Sequence, residues 1–208
     1  MNEHTEILRV LSSELYARED ADILHSLASA STFEYAALAA FDTRVGGPSV
    51  AALVDRRRRG GTLGIPQHGV GRYEIADRDV FRPLQYAGVY FTMNATEIEW
   101  LTRAIVEASS GHVEALVKRI GRTPRSPLGA ALRALRGRNV MDPETEDLVG
   151  RFVPIYNDAK HAFDHDMDTH RFSVEDAVLA YFVCRRLGER LYSLARLNTD
   201  MSVFDLPV

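Results

Sequence analysis

The sequence is poor in cysteine, since Cys184 is its single cysteine in 208 residues. One cysteine excludes an intrachain disulfide and a cysteine-rich zinc site, and we expect Cys184 to be a small core residue on a helix. No stretch approaches the ~18–20 apolar residues that a membrane-spanning helix needs. The polar, acidic residues 1–6 do not resemble the basic and apolar start of a signal peptide. We therefore expect a cytoplasmic protein with no membrane partner.

Acidic residues are missing from one long stretch, residues 115–141, although the chain carries a formal net charge of −4. The overall charge argues against a protein that coats nucleic acid with its whole surface, but it allows a local phosphate-binding strip. The basic side chains of this stretch are Lys118, Arg119, Arg122, Arg125, Arg133, Arg136 and Arg138. A second basic run occupies residues 56–59. The alternative to phosphate contact is a solvated surface.

Helical periodicity dominates most of the chain. Apolar residues recur at spacings of three and four in residues 2–41, with an acidic break at Glu19 and Asp20, and again in 94–121, 142–161 and 173–195. A short basic helix is expected at 128–135. The fold class that we predict is all-α: a single domain over residues 1–208, built as an up-and-down helical bundle of four to five main helices.

Several helix boundaries have explicit signals. We expect one helix to end at Gly121, because glycine commonly closes a helix. Asp142 before Pro143 predicts the start of the next helix, and Ser173 with Asp176 three residues later predicts the start of the last one.

The segment at about 44–94 interrupts the helical pattern. Eight glycines punctuate short apolar groups within it. We predict a loop-rich insertion, with a small helix at 49–58 and extended pieces around 72–75 and 88–91. Because the segment is too long for an ordinary connection, it is either separately packed or a functional flap.

The most informative motif is residues 156–161, YNDAKH, near the end of a predicted helix. Asn157 and His161 lie four residues apart and therefore share one helix face, and Lys160 adds a positive charge beside them. An imidazole with a pKa near neutrality moves a proton, while an amide and an ammonium group hold a phosphate. These groups suffice for metal-independent attack of an RNA 2′-hydroxyl on its own phosphate. The alternative is a local hydrogen-bonded pair without a function.

The order of the helices around this motif sharpens the hypothesis. A helix containing residues 110–114 (SGHVE), a short crossover, the helix that ends in residues 156–161 and a capped final helix together resemble the HEPN-like helical domains. The resemblance covers residues 95–197. The N-terminal helix is a candidate for the first helix of the bundle.

The resemblance also implies roles for single residues. In active HEPN members the signature is an Arg, a polar residue that is often Asn, three further residues and a His. Asn157 and His161 match its last two positions, and Tyr156 stands in the position of the Arg. On this resemblance His161 is the general acid and base, Asn157 orients it or the phosphate, and Lys160 completes the catalytic set. The substrate-binding candidates are Tyr156, Arg151, Arg133, Arg136 and Arg138.

Membership of the HEPN group implies a homodimer that binds or cleaves RNA, needs no cofactor, and belongs to a toxin–antitoxin or antiviral system. Tyr156 cannot supply the permanent positive charge of an Arg. A second hypothesis is therefore a non-catalytic helical interaction module whose partner is an antitoxin or another defence protein.

A third hypothesis, a metal-dependent helical oxidase, depends on the loop at 161–170, which is dense in His and Asp. Asp166 and His170 have a spacing found in helical di-iron oxidases, but such a site needs ligands from other helices. The candidate donor pairs are Glu107 with His112, and Glu19 with His25. Neither pair has the Glu-x-x-His spacing of ferritin-like sites, so we expect no metal.

The remaining aromatic residues and His112 are interpreted as structural. His112 lies on the apolar face of its predicted helix, as a core or interface histidine does. We expect Trp100, Tyr86, Tyr90 and Phe91 to lie in the core rather than to stack on bases.

Overall fold

The computed structural model describes residues 3–45, 78–93, 95–136, 138, 140–161, 172–192 and 194–195. Within these ranges every regular element is a helix, so the prediction of an all-α helical bundle is confirmed. The helices are α1 (Glu3–Leu15), α2 (Arg18–Ala28), α3 (Tyr35–Val45), α4 (Arg78–Tyr90), α5 (Ala95–Gly121), α6 (Leu128–Leu135), α7 (Pro143–His161) and α8 (Val174–Tyr192).

The two central helices are α5 and α8. The 27-residue α5 packs against α4, α6, α7 and α8, while α8 also packs against α1 and α2. Residues 176–185 of α8 are all buried, among them Cys184, as predicted. A helix that is buried on nearly every side belongs in the middle of a bundle, because it has no solvated face. No helix among the described residues is long and apolar enough to cross a membrane.

The predicted starts of α7 and α8 are confirmed by their hydrogen bonds. The Thr145 amide donates to Asp142 Oδ1 at 2.8 Å, which is an N-cap bond. At α8 the Asp176 amide donates to Ser173 Oγ, and the Ser173 amide donates back to Asp176 Oδ2 at 2.8 Å. This reciprocal pair satisfies donors that the first turn of a helix leaves without partners.

The N-terminal region is divided into three helices, and the acidic residues do not mark the break. Glu19 and Asp20 lie in the first turn of α2, where carboxylates interact favourably with the exposed amides of the helix terminus. The chain instead turns between Leu15 and Arg18 and again at residues 29–34.

The predicted loop-rich segment is shorter than expected at its C-terminal end. Residues 88–90 were expected to be extended but belong to α4, so that expectation is wrong. Val80, Leu84 and Ala87 are buried at helical spacing, and their packing outweighs the weak helix propensity of glycine and proline. The helix expected at 49–58 and the extended piece at 72–75 lie outside the described residues.

A buried ion pair fastens α3 to α8. Arg185 Nη1 donates to Asp42 Oδ1, and both side chains are almost completely excluded from solvent. The Arg185 guanidinium also lies 5.6 Å from the ring centroid of Tyr181. The apolar periodicity of the two helices does not predict that Asp42 and Arg185 are buried or that they pair with each other.

Candidate functional site

The motif helix α7 directs Tyr156 and Lys160 toward a carboxylate of α5. Tyr156 is 2% exposed, and its hydroxyl donates to Glu114 Oε1 at 2.6 Å. Lys160 Nζ lies 2.9 Å from Glu114 Oε2 and 2.8 Å from the Tyr156 hydroxyl. Lys118, one turn further along α5, adds a contact of 2.8 Å to Glu114 Oε1. We call Glu114, Lys118, Tyr156 and Lys160 the Glu114 cluster.

The Glu114 cluster stabilises its own charges. Burial alone would raise the pKa of Glu114, but hydrogen bonds from Lys118, Tyr156 and Lys160 outweigh it and hold the pKa below its usual value. Burial and the Glu114 carboxylate raise the pKa of Tyr156. Burial would lower the pKa of Lys160, but hydrogen bonds to Tyr156 and Glu114 raise it. At neutral pH the cluster therefore holds a carboxylate, a neutral phenol and two ammonium groups.

The other motif residues point elsewhere. Asn157 and Asp158 are exposed, and Asp158 Oδ2 lies 2.8 Å from His4 Nε2 of α1. His161 is the last residue of α7, and its side chain is outside the described part of the structure. The structure thus brings Tyr156 and Lys160 together, while the pairing of Asn157 with His161 stays a prediction.

Arg151 and Arg136 already have acidic partners. Arg151 forms a two-pronged contact with the carboxylate of Glu14 and lies 2.8 Å from Asp147. Arg136 Nε donates to Glu146 Oε1 at 2.9 Å. Neither arginine is therefore the uncompensated cation that a catalytic phosphate site would need near residues 156–161.

Besides Arg136, which pairs with Glu146, four arginines between α5 and α7 are exposed, and we call these four the basic surface. They are Arg122, Arg125, Arg133 and Arg138. They follow the end of α5, the connecting loop and α6, which packs back against α5 and α7. Arg133 and Arg138 are among the substrate-binding residues predicted from the sequence. The second basic run, residues 56–59, lies outside the described residues.

A groove runs between α4 and α5, and we call it the α4–α5 groove. It consists of cavities of about 500 and 330 Å³ that share Pro83, Gly111 and Glu114 in their walls. The remaining lining of the larger cavity is Ala115, Lys118, Arg119, Arg122 and Pro124. The remaining lining of the smaller cavity is Tyr86, Tyr90, Ala104, Glu107, Ala108, Tyr156 and Lys160.

The aromatic residues were only partly predicted. Phe91 lies in the core as expected, but Tyr86 and Tyr90 are half-buried and line the groove. Their spacing of four residues on α4 was the available signal. The prediction for Trp100 is wrong, since its side chain is 85% exposed. An apolar residue at a helical position is not buried unless another element covers that face.

His112 and His25, which lie in described helices, have structural partners. His112 is buried as predicted, and its Nδ1 donates to the Val80 carbonyl at 2.7 Å. Burial lowers the pKa of His112 to about 4. His25 Nε2 lies 2.7 Å from Ser12 Oγ. Within the described ranges no three His, Cys, Asp or Glu side chains converge as metal ligands, while most of the loop at 161–170 lies outside them.

Comparisons with known proteins add no relative. No protein-family model matches the chain, and no match was found among curated proteins or solved structures.

Proposed function

We propose that this chain is a HEPN-like helical domain that binds RNA on its basic surface and does not cleave it. The observation that carries the proposal is the Glu114 cluster. Tyr156 stands in the position where active HEPN members have Arg, and its hydroxyl donates to the buried carboxylate of Glu114.

The charge balance of the cluster argues against catalysis. A phosphate that reaches a transition state needs positive groups directed at the oxygens on which charge develops. Lys160 is the lysine of the motif at residues 156–161. Both carboxylate oxygens of Glu114 already bind its Nζ, at 3.1 and 2.9 Å. The Glu114 carboxylate would also repel a phosphate that approached Lys160. Loss of this ion pair would be required before Lys160 acted on RNA.

The exposed arginines support binding. Phosphate contacts supply most of the affinity of sequence-independent RNA binding, and exposed Arg side chains form them at little desolvation cost. The basic surface has no acidic residue in its own stretch of sequence, residues 115–141. This clustering of basic residues along the chain favours a local positive potential, although the chain carries a net charge of −4.

The experiment measures binding and cleavage in the same samples. A labelled mixed RNA pool is incubated with the full chain in EDTA, and affinity and RNA length are both recorded. The Arg133→Ala/Arg138→Ala variant should bind more weakly and show a salt slope that is shallower by about 1.4, at ~0.7 for each lost single-strand phosphate contact. Arg18→Ala, which removes an exposed arginine from α2, is the matched control and should bind as the wild type does. Equal affinities for the first variant and the wild type would contradict the assignment of the basic surface.

Cleavage is judged with His161→Ala beside the wild type. RNA that stays intact in both samples agrees with a binding domain. Cutting in EDTA by the wild type that disappears in His161→Ala would overturn the proposal in favour of a metal-independent ribonuclease.

A second candidate, a non-catalytic module for a protein partner, is favoured by Trp100. Tryptophan is enriched among the residues that dominate protein–protein binding, and this one is 85% exposed on α5. A homodimer, an antitoxin or another defence protein would cover it. Light scattering measures the mass of the associated species. Because Trp100 is the single tryptophan of the chain, a blue shift of its fluorescence reports that association covers it. Trp100→Ala should abolish the association.

A further inference from the structure

Arg122 occupies a backbone position that normally belongs to glycine. Its φ is 53°, and it is the one described residue other than glycine with a positive φ. The Thr123 amide donates to the Lys118 carbonyl at 3.0 Å, and the Arg122 amide donates to the Arg119 carbonyl at 3.2 Å. These two bonds close α5 as a Schellman motif, in which the residue at the position of Arg122 is usually glycine. Arg122 therefore has a strained backbone conformation, and residues strained in this way cluster at ligand-binding and active sites.

Arg122 lines one end of the α4–α5 groove. Lys118 and Arg119 line the same end, and the other end carries Tyr86 and Tyr90. The residues of α5 that line the groove between these two ends recur at spacings of three and four. They therefore lie on one continuous face of the helix. From Ala104 to Arg122 this face is about 27 Å long, at ~1.5 Å per residue. The groove is long enough for more than one nucleotide.

Basic residues outnumber acidic residues in the lining of the groove, and this balance favours an anionic ligand over a cation. Lys118, Arg119, Arg122 and Lys160 face the groove, whereas its acidic residues are Glu107 and Glu114. Glu114 is bound by two of those cations, and Glu107 lies at the tyrosine end. The Arg122 end thus suits a phosphate, and the tyrosine end offers aromatic faces and an acceptor.

We propose that the α4–α5 groove binds a segment of single-stranded RNA, with phosphate at the Arg122 end and a base stacked against Tyr86 or Tyr90. Unpaired bases stack on aromatic side chains, whereas bases inside a duplex are not accessible to them. This inference rests on the proposed RNA binding. It adds that the bound RNA is single-stranded and that it binds in the α4–α5 groove. It assigns Tyr86 and Tyr90 as base-binding residues and Arg122 as a phosphate-binding residue.

The test measures anisotropy of a labelled oligouridine of about 10 nucleotides and of an RNA duplex of similar length, in EDTA and at two salt concentrations. Tyr86→Leu/Tyr90→Leu should weaken oligouridine binding about tenfold or more and leave duplex binding and the salt slope unchanged. Arg122→Gly should weaken oligouridine binding and reduce the salt slope by about 0.7. Arg18→Ala should match the wild type.

The Arg122→Gly variant separates function from folding. Glycine relieves the strain at a positive φ, so the variant should melt at a higher temperature than the wild type while binding RNA more weakly. A loss of affinity in a protein that is more stable cannot come from unfolding. Wild-type affinity in both groove variants would overturn the groove assignment.

The outcomes distinguish the two proposals. If the wild type binds oligouridine and only Arg133→Ala/Arg138→Ala weakens binding, the groove is not the site and the proposed function stands. If duplex competes as well as oligouridine, recognition of unpaired bases is refuted. If the wild type binds neither RNA, the proposed function fails and this inference fails with it.

Discussion

Gly188 of α8 lies directly against the imidazole of His112 on α5. A Cβ atom on Gly188 would overlap His112 Nε2 and stand 2.7 Å from its Cδ2, well inside van der Waals contact. The imidazole is completely buried and held by the Val80 carbonyl. It therefore has little room to move, and the two central helices approach each other closely only because residue 188 has no side chain.

Gly188→Ala should destabilise the fold, although alanine usually stabilises a helix by about 1 kcal/mol relative to glycine. Overpacking of a filled core costs about 1–3 kcal/mol, which reverses the sign. Urea denaturation of the variant measures the effect. His112→Asn removes the far side of the ring, so Gly188→Ala should cost less in that background. Equal costs in both backgrounds would show that the two residues do not interact.

His112 should make stability depend on pH. Its pKa is about 4 in the folded chain, against 6.5 for an ordinary histidine, so the unfolded chain binds a proton between these values and the folded chain does not. Stability from this group is complete above pH 6.5 and falls as the pH drops toward 4. Between pH 7 and 5 the loss is about 2 kcal/mol.

The comparison with His112→Asn isolates this contribution. Asparagine keeps an N–H donor near the position of Nδ1 but does not titrate, so the variant should lose less stability between pH 7 and 5 than the wild type. Urea denaturation at both pH values supplies the difference. Parallel losses in the two proteins would assign the pH dependence to carboxylates instead.

For the buried Asp42–Arg185 pair, removing one charge should destabilise the fold much more than replacing both charges. Asp42→Ala leaves the Arg185 guanidinium buried beside α3 without its carboxylate, and such a loss costs about 3–5 kcal/mol. Asp42→Leu/Arg185→Met replaces both charges with apolar groups and should cost much less. The free energy of unfolding of each variant tests this. A double variant as unstable as Asp42→Ala would contradict it.

Glu114→Gln should lower stability and strengthen RNA binding at the same time. The amide leaves the charges of Lys118 and Lys160 uncompensated, at a cost of about 1–3 kcal/mol, and the groove gains positive potential. Because the pKa of Glu114 is lowered in the fold, its contribution is present above pH 4.5 and is lost as the pH falls through the folded value. The stability gap between variant and wild type should therefore close in acid. Weaker oligouridine binding by Glu114→Gln would contradict the charge argument.

Local signals predicted the helices well. The starts of α7 and α8 followed from Asp142 and from Ser173 with Asp176, because a capping bond involves residues a few positions apart. The helical conformation of Gly88 and Pro83 was not predictable from local signals. Their helix, α4, is stabilised by packing on α5, and packing between distant segments leaves no local pattern.

The candidate site was predictable in its residues but not in its partners. The motif drew attention to Tyr156 and Lys160, but nothing in the sequence showed that Glu114, more than 40 residues earlier, binds both of them. The strain at Arg122 was equally hidden, since Gly121 beside it was the expected helix terminator. Long-range ion pairs and single backbone angles depend on the assembled bundle.

A single titration tests whether the domain binds RNA and leaves it intact. The full chain is added to a labelled, mixed single-stranded RNA pool in EDTA, and anisotropy is followed by sizing of the RNA. We expect saturable, salt-sensitive binding, with RNA of unchanged length. Absence of binding, or RNA shortened by the wild type and not by His161→Ala, would contradict it.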